Sequence, residues 1–183
     1  MYTYNKINIR EFLNLDNKEI TEIMNFINEE NKSYNSPIIT AKDLVNRFKK
    51  RKDIYSYIFI LKNNNIVGGF RYYKTTIKDK ILLRRFIYKN GTYYCIQAVF
   101  VLPKYRKQGI CSQLINYFFE SINKKYDSLS FRTILAVDKK NIPAIKCYTK
   151  NGFKKVIERK VTNKLLDTNN YTEYFSEYLM IKV

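Results

Sequence analysis

The segment from Tyr93 to Lys124 constrains this chain more than any other, because three kinds of sequence follow one another there without a break. An apolar, β-rich run from Tyr93 to Val101 is stopped by Pro103. A short basic stretch with Lys104, Arg106 and Lys107 comes next. Leu114, Ile115, Phe118, Phe119 and Ile122 then recur at helical spacing, which predicts a helix over about Gln108 to Lys124. A strand that delivers a glycine-containing loop to a helix leaves the first N–H groups, here those of Gln108 to Ser112, pointing outward without intrahelical acceptors. The helix dipole adds about half a positive charge, and Arg106 and Lys107 stand beside it, so the segment reads as an anion site, most naturally for a pyrophosphate. Gly109 would let phosphates reach the backbone, while Ile110 can turn into the core. The competing reading is a plain helix start with exposed basic residues.

The rest of the chain supplies elements of both periods. Lys6 to Phe12 reads as a first strand. Ile20, Ile23, Met24 and Ile27 predict a helix after Asp16 and Asn17, either of which could cap it. Thr40 with Asp43 resembles a capping box ahead of Leu44, Val45 and Phe48. Tyr55 to Leu61 and Ile66 to Lys74, joined through Asn63 to Asn65, read as a β-hairpin. Ile77 to Lys89 is ambiguous between strand and helix; a strand is favoured, and its role is unassigned. Phe131 to Val137 is a further strand, Asn141 caps a helix with Pro143 in its first turn, and Gly152 ends it as the C′ residue. Phe153 to Lys160 and Tyr171 to Ile181 are terminal strands. Strands alternating with helices after a meander predict an α/β chain, a mixed sheet with helices on both faces, built as one domain over residues 1–183.

Composition excludes several classes. With 45% hydrophobic residues and only 5 Gly and 3 Pro, the chain can bury a core and has no compositional basis for linkers or low-complexity arms. The net charge of +18 would suit a polyanion. Lys outnumbers Arg 25 to 9, however, and no block of five like charges occurs, so a diffuse basic surface is favoured over a nucleic-acid face. The N-terminal segment is not a secretory signal, and the longest uncharged stretch, Asn90 to Pro103, is 14 residues, too short for a membrane span of about 20. No membrane partner is expected, and a reducing cytoplasm is. Three widely spaced cysteines (Cys95, Cys111, Cys147) and no histidine argue against a disulfide framework, a metal site and His-assisted nucleophiles.

The spacing Arg106-x-x-Gly109-x-Cys111 resembles motif A of the GNAT superfamily of acyl-CoA-dependent N-acyltransferases, [Q/R]-x-x-G-x-[G/A], with Cys111 departing at the last position. Thirty residues on, Asn141-Ile-Pro-Ala144-Ile-Lys-Cys-Tyr148-Thr-Lys-Asn-Gly152-Phe153 resembles motif B, N-x-x-A-x-x-x-Y-x-x-x-G-F. The order of elements in the first half is similar as well. The resemblance implies a mostly antiparallel sheet with one splayed parallel strand pair, and acetyl-CoA as cosubstrate. The backbone of Phe100 and Val101 would pair with the pantetheine arm, Arg106, Lys107, Gln108, Gly109, Ile110, Cys111 and Ser112 would hold the pyrophosphate, and Asn141 would contact the pantetheine or cap its helix. Tyr148 would protonate the departing thiolate, with a backbone N–H near Val101 as oxyanion donor; its other reading is a core aromatic. The expected activity is direct transfer of an acetyl group to a primary amine in a ternary complex, by a monomer or homodimer. The alternative is a catalytically idle domain that binds acyl-CoA or associates with nucleic acid.

Two points are open at this level. Several GNAT members carry a Glu on the strand before motif A, and here that strand reads Cys95-Ile96-Gln97-Ala98-Val99; Gln97 could orient a water but cannot accept a proton. The base is then a water chain or an acid from another segment, unless the amine has a low pKa. Residues 11 to 31 carry six carboxylates against Lys18 alone, net −5 in a chain of +18. Such a patch could receive a cationic amine, although a solvated helix face is the favoured explanation.

Overall fold

The computed structural model describes residues 1–8, 11, 14–33, 37–50, 56–75, 92–124, 131–164 and 172–182. The elements follow as β1 (Tyr2–Asn8), α1 (Asn17–Ser33), α2 (Ala41–Lys50), β2 (Ser56–Lys62), β3 (Asn65–Thr75), β4 (Thr92–Val101), a 3-10 turn (Pro103–Tyr105), α3 (Ile110–Asn123), β5 (Phe131–Asp138), α4 (Ile142–Lys150), β6 (Lys154–Lys164) and β7 (Thr172–Lys182). Hydrogen-bonded strand neighbours run β1-β2-β3-β4-β5-β7-β6. The sheet is mixed, with β4 and β5 as its parallel pair. The ambiguous stretch 77–89 lies outside the described residues.

The chain forms two compact units, Met1–Lys74 with Gln97–Asp127 and Thr75–Ile96 with Ser128–Val183, and β4 is divided between them. In the first unit local sequence sets the helices. Asp16 Oδ1 accepts from Glu19 N (2.8 Å) and Glu19 Oε2 from Asp16 N (3.1 Å), a reciprocal box that starts α1. Thr40 and Asp43 do the same for α2, with Asp43 N donating to Thr40 Oγ1 (3.1 Å) and Thr40 N to Asp43 Oδ2 (3.0 Å). The β2–β3 hairpin turns through Asn63 and Asn64, both at positive φ (52° and 62°), which asparagine tolerates better than most residues.

One face of this unit's strands carries Ile7, Phe59 and Phe100 against Ile23 and Phe26 of α1 and Ile39 and Leu44 at α2. The opposite face meets α3, where the Phe118 ring packs edge-on to Phe70 and Tyr72 at 5.8 and 5.0 Å. Each such aromatic buried stabilises the fold by roughly 1.5–3 kcal/mol. Buried Asn28 fixes the α1–α2 connection: its Nδ2 donates to Ile39 O and its Oδ1 accepts from Ile39 N, both at 2.9 Å.

The first strand runs over Tyr2–Asn8 and so starts four residues before the predicted Lys6, while 9–10 and 12 of the predicted span Lys6 to Phe12 lie outside the described residues. Pairing decides it, because Tyr2–Asn8 lie antiparallel to Lys62–Ser56. The alternation then serves two faces: Tyr4 stacks on Tyr117 of α3 (4.3 Å, 5°), while Ile7 enters the α1–α2 core.

In the second unit β5 and β6 both pair antiparallel with β7. Its core holds Tyr93, Ile134 and Leu179, with Ile157 and Ile181 packed against them. The parallel ladder of β4 with β5 runs from Thr92↔Phe131 to Ile96↔Leu135. Two residues beyond its last pair Ala98 takes φ +54°, a left-handed conformation that the sequence does not announce.

Candidate functional site

The loop after β4 is built by successive backbone commitments. Leu102 N donates to Val67 O (3.0 Å), tying the strand's end to β3, and Tyr105 N and Arg106 N turn back to Leu102 O and Pro103 O. Lys107 (φ +62°) and Gly109 (φ +77°) both take left-handed backbone before α3 begins at Ile110, two residues later than predicted. The first helical bond is Gln113 N to Gly109 O at 3.1 Å. A glycine in the N-cap position has no side chain to accept from the first N–H groups of α3.

Gly109 is required by its φ, not by crowding. A Cβ built there would meet nothing nearer than Gln113 Nε2 at 4.0 Å, so the space in front of the helix start is open to a ligand group. Ile110 is 2% exposed and explains how α3 is set down. It reaches Gly68 of β3 so closely that a Cβ at 68 would lie 3.0 Å from its Cγ2. Gln108 braces the loop through its side chain, accepting from Tyr2 Oη (3.2 Å) and donating to Lys104 O (3.2 Å). The Arg106 guanidinium lies 5.5 Å from the Phe100 ring centroid and its Nε donates to Val101 O at 3.0 Å, which leaves the two terminal nitrogens of the fork as its outward donors. Lys107 is exposed. Phe100 is 4% exposed and packs on Phe26, so only its backbone could meet a ligand. Gln97 is half-buried and precedes Ala98 with its left-handed backbone.

The second unit carries the other motif. Asn141 is exposed and caps α4, its Oδ1 accepting from Ala144 N at 3.2 Å. Pro143 occupies the first turn. At the far end Phe153 N donates to Tyr148 O and Gly152 N to Thr149 O, both at 3.0 Å, with Gly152 at φ +87°. This is a Schellman motif, and its usual apolar contact is the Tyr148 ring on Phe153 at 6.0 Å. The spacing Tyr148-x-x-x-Gly152-Phe153 therefore has a structural cause of its own. Tyr148 is 6% exposed, and the ring is held in place by the helix ending.

Among the described residues Cys95 is a free cysteine.

Sequence reasoning looked for a carboxylate on β4 and missed Glu30 on α1. Glu30 follows Ile23, Phe26 and Ile27 at helical spacing and is half-buried. Burial pushes its carboxyl up to about 7, against the opposing pull of Arg71 on β3. A Glu at the end of an apolar stripe was the available signal. On the neighbouring stripe Glu22, Asn25 and Glu29 line a groove of about 350 Å³ with Asn65, Lys104 and Tyr105. Part of the acidic patch read from residues 11 to 31 thus borders a cavity. Among the described residues no helix is long and apolar enough to cross a membrane.

The model of the Acetyltransferase (GNAT) family matches residues 19–153, and the chain belongs to that family. The search of curated proteins found no match. Solved structures match along nearly their whole length at low identity. Arabidopsis thaliana NAA60 in complex with acetyl-CoA is 17% identical at a TM-score of 0.68, covering 99% of this chain and 97% of that one. A GNAT-family acetyltransferase from Streptococcus pneumoniae is 15% identical at 0.67, covering 100% and 99%. The ribosomal-protein-S5-alanine acetyltransferase of Vibrio fischeri is 17% identical at 0.66, covering 100% and 92%. The mixed seven-stranded sheet is the fold these proteins share with this chain.

Proposed function

We propose that this chain is a single-domain N-acetyltransferase that moves an acetyl group from acetyl-CoA to a primary amine by direct attack in a ternary complex. The observation that carries the reading is the glycine-capped start of α3, with open space in front of Gly109 and Arg106 and Lys107 beside it, in a chain of the GNAT family. The residues fit the group: backbone N–H donors without a side-chain cap suit a pyrophosphate, and no Cβ at 109 holds it away.

The α3 start, from Arg106 through Gly109 to Ser112, binds the diphosphate, and the Phe100–Val101 backbone orients the thioester arm. Acetyl-CoA supplies the activated acyl group. The amine nitrogen forms the amide bond to the acyl carbon as the carbon–sulfur bond breaks. The backbone N–H near Val101 is assigned to the developing oxyanion, and the Tyr148 hydroxyl gives a proton to the departing sulfur. Gln97 orients a water. The acceptor is a cationic amine, a reading supported by Glu22 in the groove beside α1.

Thermal unfolding with acetyl-CoA, CoA and ATP tests the cofactor. At a ligand concentration of about 100 Kd the native state gains about 2.7 kcal/mol, which raises the midpoint by roughly 5–10 °C. A shift with acetyl-CoA that exceeds the ATP shift is expected, followed by thiol release with cationic amines. An equal shift with any polyphosphate overturns the reading.

A further inference from the structure

We propose that the lysine-rimmed groove between α4 and the edge strand β6 is a docking site for an acidic, extended segment of a partner protein. The groove lies within the second unit, shares no residue with those assigned to acetyl-CoA, and does not depend on the acetyltransferase reading.

A cavity of about 590 Å³ opens where α4 hands over to β6. Ile145 and Phe153, both buried, form its floor, and Lys146, Lys150, Lys154 and Lys155 stand around them, all four exposed. The alkyl stems of the lysines extend the apolar wall while the ammonium groups stay in water. Among the described residues no carboxylate lines the groove, and none pairs with these four lysines. Nearby Lys139, by contrast, is engaged by Glu158 at 2.6 Å. The Lys155 ammonium rests instead on the Tyr178 ring, 4.1 Å from its centroid. Lys146 and Lys150 are four apart on α4, a spacing at which like charges repel, and Lys154 and Lys155 follow each other on β6. The helix dipole favours Lys150 in the last turn of α4 but gives no reason for the other three. An anionic occupant would relieve all four.

The surroundings select the kind of anion. β6 is last in the strand order, and among the described residues β7 is its one strand neighbour, so the backbone groups of its outer edge are open to a further strand. Lysines at such an edge, with the register shift between Lys155 and Ile157, oppose pairing with a second copy of β6, whose lysines would meet them, and suit a strand of opposite charge. Side chains on one face of that strand would reach the Ile145–Phe153 floor while flanking acids meet the lysines. A nucleic acid is the poorer match. Phosphates gain nothing from an apolar floor, the rim is lysine and not arginine, and Phe153, at 1% exposure, offers no face for a base to stack on. A flat anionic bilayer would not reach the floor.

The test uses the full chain and a fluorescent heptapeptide of alternating glutamate and valine, followed by anisotropy at low and at higher salt. A lysine–valine heptapeptide, a single-stranded oligonucleotide and phosphatidylserine vesicles serve as comparisons. The glutamate peptide should bind, more weakly as salt rises, and the lysine peptide should not. The triple variant Lys146→Gln, Lys150→Gln, Lys154→Gln should raise its Kd roughly 3- to 100-fold with an unchanged Tm. Lys18→Gln, Lys42→Gln and Lys124→Gln together remove the same charge from exposed positions of the first unit and should leave the Kd as in wild type. Equal Kd values in the two triple variants would mean attraction by net charge alone and overturn the proposal. A second measurement needs no variant: on adding the peptide, backbone amide signals of Lys154 to Ile157 should move. Changes scattered outside residues 145–157, or no binding of the glutamate peptide, overturn the proposal. So does binding of the oligonucleotide or the vesicles at the groove in place of the peptide, which would assign the surface to that class.

Discussion

Gly109 and Gly152 share a left-handed backbone, at φ +77° and +87°, and differ in what stands in front of them. Neither is crowded: a Cβ at 109 comes no nearer than 4.0 Å to Gln113 Nε2, and one at 152 meets Lys182 Cε at 3.5 Å, an ordinary contact. Alanine at either position therefore costs only the left-handed strain of an L residue, about 1–2 kcal/mol, less a few tenths recovered from the unfolded chain. For a chain of this size that is a fall in Tm of roughly 2–6 °C. The two variants should part company in cofactor affinity. In Gly109→Ala the new methyl occupies the space before the α3 N–H groups, and losing one charged hydrogen bond costs about 1.5–3 kcal/mol, roughly a 10- to 100-fold rise in Kd for acetyl-CoA. Gly152→Ala should bind as the wild type does. Calorimetric titration with acetyl-CoA, beside thermal melts of both variants, decides it. Equal affinities in Gly109→Ala and wild type, with the Tm loss present, would refute the phosphate reading of this loop.

Tyr148→Phe keeps the ring on Phe153 and should leave Tm and acetyl-CoA affinity close to wild type while lowering kcat on the order of 10²-fold; unchanged turnover removes the hydroxyl from the chemistry and leaves Tyr148 a packing residue. Asn28→Ala deletes two buried bonds of 2.9 Å and strands the Ile39 amide and carbonyl. The expected loss is about 2–4 kcal/mol by denaturant melts, and a loss below about 0.5 kcal/mol would show that water replaces the side chain. Glu30 makes stability depend on pH. Its carboxyl is raised from 4.5 to about 7 in the folded protein, so between those values the native state holds the extra proton. Its destabilising contribution is absent below about pH 4.5 and grows to at most about 3 kcal/mol above pH 7. Glu30→Gln should thus melt higher than wild type at pH 8 and alike at pH 4.5; equal differences at both values would exclude this titration.

Where a few neighbouring residues satisfy one another, the sequence was sufficient. The Thr40–Asp43 box, the Asn141 cap and the Gly152 ending are each made within a handful of residues, and each is found where the residue types put it. The glycine-containing loop was legible for the same reason, since the open N–H groups of a helix start follow from helix geometry alone. The start of α3 was misplaced by two residues, because Lys107 adopts a conformation that its side chain does not advertise.

What tertiary structure decided concerns partners distant in the chain. The first strand lies at Tyr2–Asn8 because β2 and α3 supply its pairing and its ring contact, and no local pattern favours those residues over Lys6 to Phe12. The left-handed backbone at Ala98 comes just after the β4–β5 ladder has ended, and a ladder's end is invisible from one strand. Glu30 sits visibly on an apolar stripe, yet its weakened acidity depends on desolvation by the sheet beneath and on Arg71, forty-one residues away. Short-range hydrogen bonding and periodicity were written in the sequence. Desolvation and strand pairing belong to surfaces that exist only once the chain has folded.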